Sequence, residues 1–404
     1  MFLQLSWRNI WRNKKRTIIA ASSVFFAVIL AIFMRSAALG SYEYMIHSSA
    51  KMFSGYFQIQ GDKYWDDRSL DESFKIPDSL YRLMINTDNV QSINPRLETF
   101  ALVSHGKETK VSQIIGVDPE SESRMTELDK RLIKGEYLQK GKQGLVMGAG
   151  LARMLDAGIG DSVIIYGIGY HGIPAAALEP ITGIVELPFP ALNNGTVFLE
   201  LSSAQKIYYT GDRVTSLSFM IDKTAHQSQT VELIEAILPK KLTIMTWDEM
   251  FPELKQNIEF DNIGGIIMLL ILYVVIAFGV FGTIMMMTQE RAREFAILVS
   301  VGMQKANLML VTLYESLMVS LLGALAGCIG AIPLVHYFYH NPIVLTGDAA
   351  EAYVKLGIEP IMTFTTDYTL FTVQGSVVLL IALLSAIYPV FYIRSLDPSK
   401  AIRG

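Results

Sequence analysis

The chain has 404 residues, of which 51% are apolar and only 18% charged, against about 25% charged residues in an ordinary water-soluble domain, so a wholly soluble enzyme is excluded. The formal net charge is −4 and Cys328 is the one cysteine, which rules out an intramolecular disulfide and a cysteine-based metal cage. Beyond the N-terminus no basic run is interleaved with aromatics, so nucleic-acid binding has no support.

Residues 1–16 hold Arg8, Arg12, Lys14, Lys15 and Arg16 and no acid. Leu3, Trp7, Ile10 and Trp11 share one helical face and Arg8, Arg12 and Lys15 another, the pattern of a basic amphipathic helix lying in a membrane interface. The same residues also suit the first turns of a membrane helix with belt tryptophans. The apolar run Thr17–Met34 approaches the roughly 20 residues needed to span a bilayer. A signal peptide cleaved after Ser36-Ala37-Ala38 is the rival reading, but the run exceeds the roughly 7–15 residues of a signal core. The expectation is a retained first span over 17–40.

Residues 41–260 read as a mixed α/β domain. Strands are expected at Phe57–Gln60, Ser112–Val117, Ser162–Tyr166, Ile181–Glu186, Thr196–Glu200 and Ser216–Ile221, and helices at Asp78–Met84, Gly150–Leu155, Ser203–Tyr208 and Thr230–Ile237. At its ends, Ser36–Ala50 continues the first helix without a breaker, and Trp247, Phe251, Leu254 and Ile258 draw one apolar stripe before the second span. Both ends are expected to form a helical stalk, with Pro252 tolerated in a first turn.

Three more spans follow at 262–288, 306–336 and 369–393, separated by a loop at 289–305 and a second at 337–368, and closed by a tail at 394–404. Residues 1–16, the loop 288–305 and the tail hold eleven of the 34 basic residues and three of the 38 acidic ones, so they carry +8 and the rest −12. Because Lys and Arg gather on the cytoplasmic side, both termini and the 289–305 loop are expected inside, and the α/β domain outside.

Motifs for chemistry are scarce. Gly148-Ala149-Gly150 lacks the third glycine of a dinucleotide fingerprint, Arg153 standing there, and reads as a turn opening a short helix. No P-loop, H-E-x-x-H or nucleophile elbow occurs, so no catalytic, cofactor or metal residue is assigned. His336 and His340 are four apart, a metal-compatible spacing, and read as polar residues at a lipid–water boundary. Glu315 is the one acid well inside the third span; it is either an intramembrane functional group or the partner of a nearby cation.

The 289–305 loop is the most informative stretch. Glu290, Arg293 and Glu294 precede Phe295, Ile297, Leu298 and Met303, with Gly302 closing the helix. An apolar knob between two membrane helices suits a partner's groove or the lipid headgroups.

Glu290–Met303, running on through Leu313–Gly323, resembles the segment between the second and third helices of FtsX-like ABC permeases of the lipoprotein-releasing and macrolide-exporter type. The tail Leu396-Asp397-Pro398-Ser399-Lys400-Ala401-Ile402-Arg403 and the opening Trp7–Thr17 are similar to that family's ends. Gly148–Asp161, Ile181–Val185 and Val197–Gln205 match its outer-domain pattern. The resemblance implies a multi-pass cytoplasmic-membrane permease that itself needs no cofactor. It also implies a second permease copy or paralogue, and a separate ABC ATPase dimer that grips Glu290, Arg293, Glu294, Phe295, Ile297, Leu298, Gly302 and Met303. Such permeases transmit ATP-driven motion outward, and the expectation here is lipoprotein release. Efflux of an amphipathic molecule or peptide and regulation of a cell-wall hydrolase are the alternatives. The stretch Gly167–Leu178, uncharged and apolar in its second half, reads as a hairpin tip; in lipoprotein-releasing relatives a hairpin at the matching place engages a carrier. Tyr170, Ile173 and Pro174 are therefore candidate contacts for a periplasmic carrier or lipoprotein cargo, with a loop packed on its own domain as the other reading.

Overall fold

A computed structural model describes residues 2–12, 14–348, 350, 353 and 360–395. The side chain of Leu3, residues 396–404 with their Leu-Asp-Pro pattern, and most of 349–359 lie outside the described residues. The chain divides into a helical unit (Met1–Glu43, Gln256–Val344 and Ile361–Gly404) and an α/β unit (Tyr44–Lys255 with Leu345–Pro360).

The helical unit contains α1 (Phe2–Arg12), α2 (Lys14–Ser49), α3 (Pro252–Glu290), α4 (Ala292–Ser300), α5 (Lys305–His340), α6 (Tyr368–Ser385) and α7 (Ile387–Ser395). Among the described residues, four stretches are long and apolar enough to cross a membrane: Thr17–Met52, Pro252–Glu290, Lys305–His340 and Tyr368–Ser395. Pro252 is the first residue of α3, where its missing N–H costs nothing. Pro389 has no N–H to offer Ser385, which accounts for the interruption at Ala386 between α6 and α7.

Lipid tails do not drive helices together, so close approach of small residues does. Gly323 and Gly327 of α5 serve this purpose against α2: a Cβ on Gly323 would lie 2.6 Å from the Ala21 carbonyl oxygen, and one on Gly327 2.8 Å from the Val28 Cβ. Polar side chains add ties, the Tyr42 hydroxyl donating to Asp261 at 2.6 Å, Arg35 Nη1 to Asn262 at 2.7 Å, and Ser36 Oγ to the Thr365 carbonyl at 2.7 Å. Helix α1 lies against α5, with the buried Ser6 hydroxyl donating to the Val311 carbonyl at 3.0 Å. Ile10 packs with Ala20 and Val319. Trp7 and Trp11, grouped with Ile10 by the sequence pattern, face out at 46% and 54% exposure.

The described residues of the α/β unit form ten strands: β1 (Phe57–Gly61), β2 (Val90–His105), β3 (Glu108–Val117), β4 (Leu132–Gly135), β5 (Leu145–Gly148), β6 (Ser162–Ile168), β7 (Pro174–Val185), β8 (Thr196–Glu200), β9 (Ser216–Ile221) and β10 (Leu242–Thr246). The pairings β2–β3, β3–β8, β8–β5, β5–β7, β7–β6 and β6–β2 close a ring of six strands. Closure removes free edges, and the interior is filled by Ala101, Val103, Ile114, Met147, Val163, Ile165, Ala175, Ile181 and Val197 among others.

The first half of β2 belongs to a second sheet, in the order β10-β1-β9-β2. That sheet packs on the helices Asp78–Ile85 and Gln227–Glu235 through Phe57, Phe219, Met84 and Ile234. Strand β2 changes partner from β9 to β3 at Arg96, one residue after Pro95. Arg96 is buried at this crossing, its guanidinium donating twice to Glu122, at 3.0 and 2.6 Å. A paired fork of this kind is how a buried charge is tolerated. Strand β5 runs into the short helix Ala149–Met154, the turn expected at Gly148–Gly150.

Candidate functional site

Two places gather the residues singled out from the sequence, one in each unit. In the helical unit, α3 ends at Glu290 and the helix is interrupted at Arg291 (φ −99°, ψ 3°) before α4 starts. Helix α4 ends in a Schellman cap: Met303 N–H donates to the Leu298 carbonyl at 3.0 Å and Gly302 N–H to Val299 at 3.1 Å. Gly302 has φ +107°, which a side chain would strain. Gln304, extended, then opens α5.

Period 3.6 divides the residues of α4 into two stripes. Phe295, Ala296 and Val299 turn inward and meet Leu308, Met303 and Ile393. Arg293, Glu294, Ile297 and Leu298 face out, and the exposed stripe continues to Val301 just past the helix end; Ile297 is 48%, Leu298 43% and Val301 84% exposed. The outward surface is thus charged at its start and apolar at its end. Phe295, expected on the presented knob, is only 1% exposed and belongs to the core. Met303 is half-buried beside it, so it contributes packing and the cap. Val301, which the sequence reading omitted, is the most exposed apolar residue there; its position four after Ile297 was the available signal.

Glu315 has a partner. Its Oε2 accepts from Arg291 Nη1 at 2.7 Å, and both side chains are almost fully buried. Of its two sequence readings, the geometry bears on the second, a carboxylate paired with a nearby cation.

In the α/β unit, the segment Gly167–Leu178 is not a free tip. The barrel strands continue into it, with Ile168 opposite Pro174. The turn Tyr170–Gly172 is pinned by Tyr170 N–H to the Tyr208 carbonyl at 2.9 Å and His171 N–H to Asp71 Oδ1 at 2.6 Å. Arg213 sits 5.0 Å over the Tyr170 ring. Tyr170 is half-buried, while Ile173 and Pro174 are exposed. The loop reading fits Tyr170, yet the larger apolar exposure lies on the strands themselves.

On the outer wall of the barrel, Val111 faces Leu102 across β3–β2, Leu102 faces Tyr166 across β2–β6, and Ile164 faces Leu178 across β6–β7. Phe100, Leu102, Val111, Ile164, Tyr166, Ile168 and Leu178 are 41–69% exposed. A groove of about 630 Å³ runs along part of this wall, rimmed by Asp67, Arg68 and Asp71. Strand pairs place alternate residues on one face, so this apolar stripe is contiguous. The described residues contain no group of three or more His, Cys, Asp or Glu able to hold a metal.

Among the described residues, four membrane-length helices with an α/β domain between the first and second define the architecture of a multi-pass membrane protein. The description "FtsX-like permease C-terminal" matches residues 266–398, and "MacB-like periplasmic core domain" matches 17–237, more than half of the chain. The chain belongs to the FtsX-like permease family with a MacB-like periplasmic core. It is 21% identical over 337 residues to the lipoprotein-releasing system transmembrane protein LolC of Xylella fastidiosa, covering 80% of this chain and 79% of that protein. It is 22% identical over 263 residues to LolE of Haemophilus influenzae, 63% of each. The solved periplasmic region of MacB from Actinobacillus actinomycetemcomitans aligns at a TM-score of 0.35 and 16% identity over 50% of this chain and 92% of that one.

Proposed function

We propose that the chain is the permease of a system in which a separate ABC ATPase dimer grips α4 and drives work outside the cytoplasmic membrane, that work being release or transport of lipoproteins. The observation that carries the reading is α4 itself. A two-turn helix rigidly capped between two membrane helices presents Ile297, Leu298 and Val301 outward, and exposed apolar residues on so short a helix call for a partner surface. The sequence contains no P-loop motif, which agrees with ATP binding by a separate subunit. The charge distribution supports α4 and both termini inside and the α/β domain outside. On that domain, the barrel wall is proposed as the surface for a carrier or a lipoprotein, with Tyr166 and Ile164 at its centre and Ile173 and Pro174 at its end. A second permease, identical or paralogous, completes the assembly, with membrane lipid around it.

The match to a MacB-like core favours, as the second reading, export of an amphipathic molecule or peptide. The discriminating experiment purifies the detergent-solubilised complex from cells fed tritiated palmitate, with a photocrosslinking residue at Tyr166. The expected result is a co-purifying ATPase and a labelled lipoprotein or a defined carrier adduct. An ATPase without any protein adduct, together with resistance to an amphipathic drug, turns the reading to efflux; absence of an ATPase refutes both.

A further inference from the structure

One side chain at the α3–α4 bend reaches two other elements, α4 and α5. Arg291 Nη1 donates to Glu315 of α5 at 2.7 Å, its Nε approaches Glu294 of α4 at 3.4 Å, and its guanidinium lies 5.0 Å over the ring of Phe295. Glu294 in turn stands 3.9 Å from Arg12 of α1. The charges alternate along this row, buried at the Glu315 end and exposed at the Arg12 end. Apolar residues at 291 and 315 would serve stability as well or better, since taking two charges out of water costs as much as their attraction returns. A cavity of about 30 Å³, room for about one water molecule, adjoins the pair and is lined by Val280, Ile284 and Val319 as well as Thr288, Ser316 and Ser320.

We infer that Arg291 is the positioning residue that passes movement of α4 to α5, its forked guanidinium holding Glu315 with one arm and Glu294 with the other; this rests on the ATPase-contact reading above. The backbone at 291 is the hinge and its side chain is the latch. Tilting α4 therefore either carries Glu315 along or leaves two charges unpaired in apolar surroundings. A lysine has no fork and cannot hold both carboxylates in fixed geometry.

The test uses the full-length chain with its ATPase in membranes, a cysteine at Lys107 in the exposed β2–β3 turn, and a water-soluble maleimide dye whose emission reports on ATP addition. Arg291→Gln and Glu315→Gln are expected to keep ATPase capture and hydrolysis, while the ATP-driven shift of the dye equilibrium falls by about 5–150-fold, the usual span of an intersite coupling. The exchanged pair, Arg291→Glu with Glu315→Arg, is expected to recover part of that loss. If a glutamine variant fails to insert, Arg291→Lys keeps the charge and is expected to show the same deficit. An unaltered dye response in the glutamine variants, or in a folded Arg291→Lys chain, overturns the inference, as does an exchanged pair no better than the single changes. A wild-type chain that holds no ATPase, or whose dye ignores ATP, refutes the coupling reading instead.

Discussion

The division of α4 into an inward and an outward stripe makes a quantitative prediction. Ile297, Leu298 and Val301 are 48%, 43% and 84% exposed, and full burial of such side chains is worth about 1.5–3 kcal/mol each, so covering what remains is worth roughly 3–5 kcal/mol in total, of which Ile297 and Leu298 supply about half. Ile297→Ser with Leu298→Ser should therefore weaken ATPase binding by about 10–100-fold, and adding Val301→Ser should bring the loss to roughly 100-fold or more, each tenfold being about 1.4 kcal/mol. Phe295 behaves differently. It is buried against Leu308 and Ile393, and Phe295→Ala should cost about 3–5 kcal/mol of stability. The chain that does fold should still bind. The assay is titration of the purified ATPase onto detergent-solubilised permease by fluorescence anisotropy, with a thermal melt of each variant. An unchanged dissociation constant for the triple serine variant would refute the outward-face reasoning, and so would a folded Phe295→Ala chain that binds no ATPase.

Three further outcomes follow from other contacts. Gly327→Val places new atoms within 2.8 Å of the Val28 Cβ and should destabilise the bundle by about 1–3 kcal/mol or more, seen as a lowered melting temperature in detergent, while Ala326→Val on the exposed side should not. Burial raises the Glu98 carboxyl above the ordinary carboxylate range, a rise that Arg96 only partly opposes. Stability from that site is therefore present below the ordinary pKa and lost as pH rises through the raised one, so Glu98→Gln should flatten the melting temperature between acidic and neutral pH; equal slopes would dismiss it. For topology, a cysteine at Lys107 should react with an impermeant maleimide in intact cells and one at Gln289 should not, the reverse pattern overturning the charge-derived orientation.

What the sequence revealed and what it hid both have physical causes. Span length and hydropathy are local properties, so the four membrane helices were legible. So were strands such as Thr196–Glu200 and Ser216–Ile221, whose observed bounds match. Strand β2 was not, because Asn94-Pro95 in its middle reads as a breaker. The strand survives since Pro95 sits where the ladder passes from β9 to β3, the kind of position where a missing donor is tolerated. In α4 the sequence groups Phe295 with Ile297 and Leu298 on one apolar knob, although a 3.6 period sets Phe295 and Ile297 on different stripes, and which stripe faces inward is decided by Leu308 and Ile393 from other elements. Likewise Glu315 had Arg291, Arg293 and Lys305 to choose among, and only the interruption at 291 brings one guanidinium to it.

The barrel wall shows the same dependence on tertiary context with a functional consequence. Ser162–Ile168 and Pro174–Leu178 are apolar on both faces, a pattern that normally belongs to strands covered on both sides. Here the barrel closes over one face only, and Ile164, Tyr166, Ile168 and Leu178 stay 52–69% exposed on the other. Nothing in ring closure requires apolar side chains outside, since polar residues would satisfy the same backbone ladder. The excess must therefore answer to something other than the fold of this chain, and an apolar face contiguous over four strands suits an occupant that is itself apolar. Under the proposed function that occupant is a lipoprotein or its carrier. A small exported solute would need only a pocket of its own size. Under the proposed function, the breadth of the wall favours a lipoprotein or its carrier over a small exported solute. Ile164→Ser with Leu178→Ser, two residues facing each other on the wall, should accordingly abolish the carrier or lipoprotein crosslink from the probe at position 166 while the barrel's melting temperature stays unchanged.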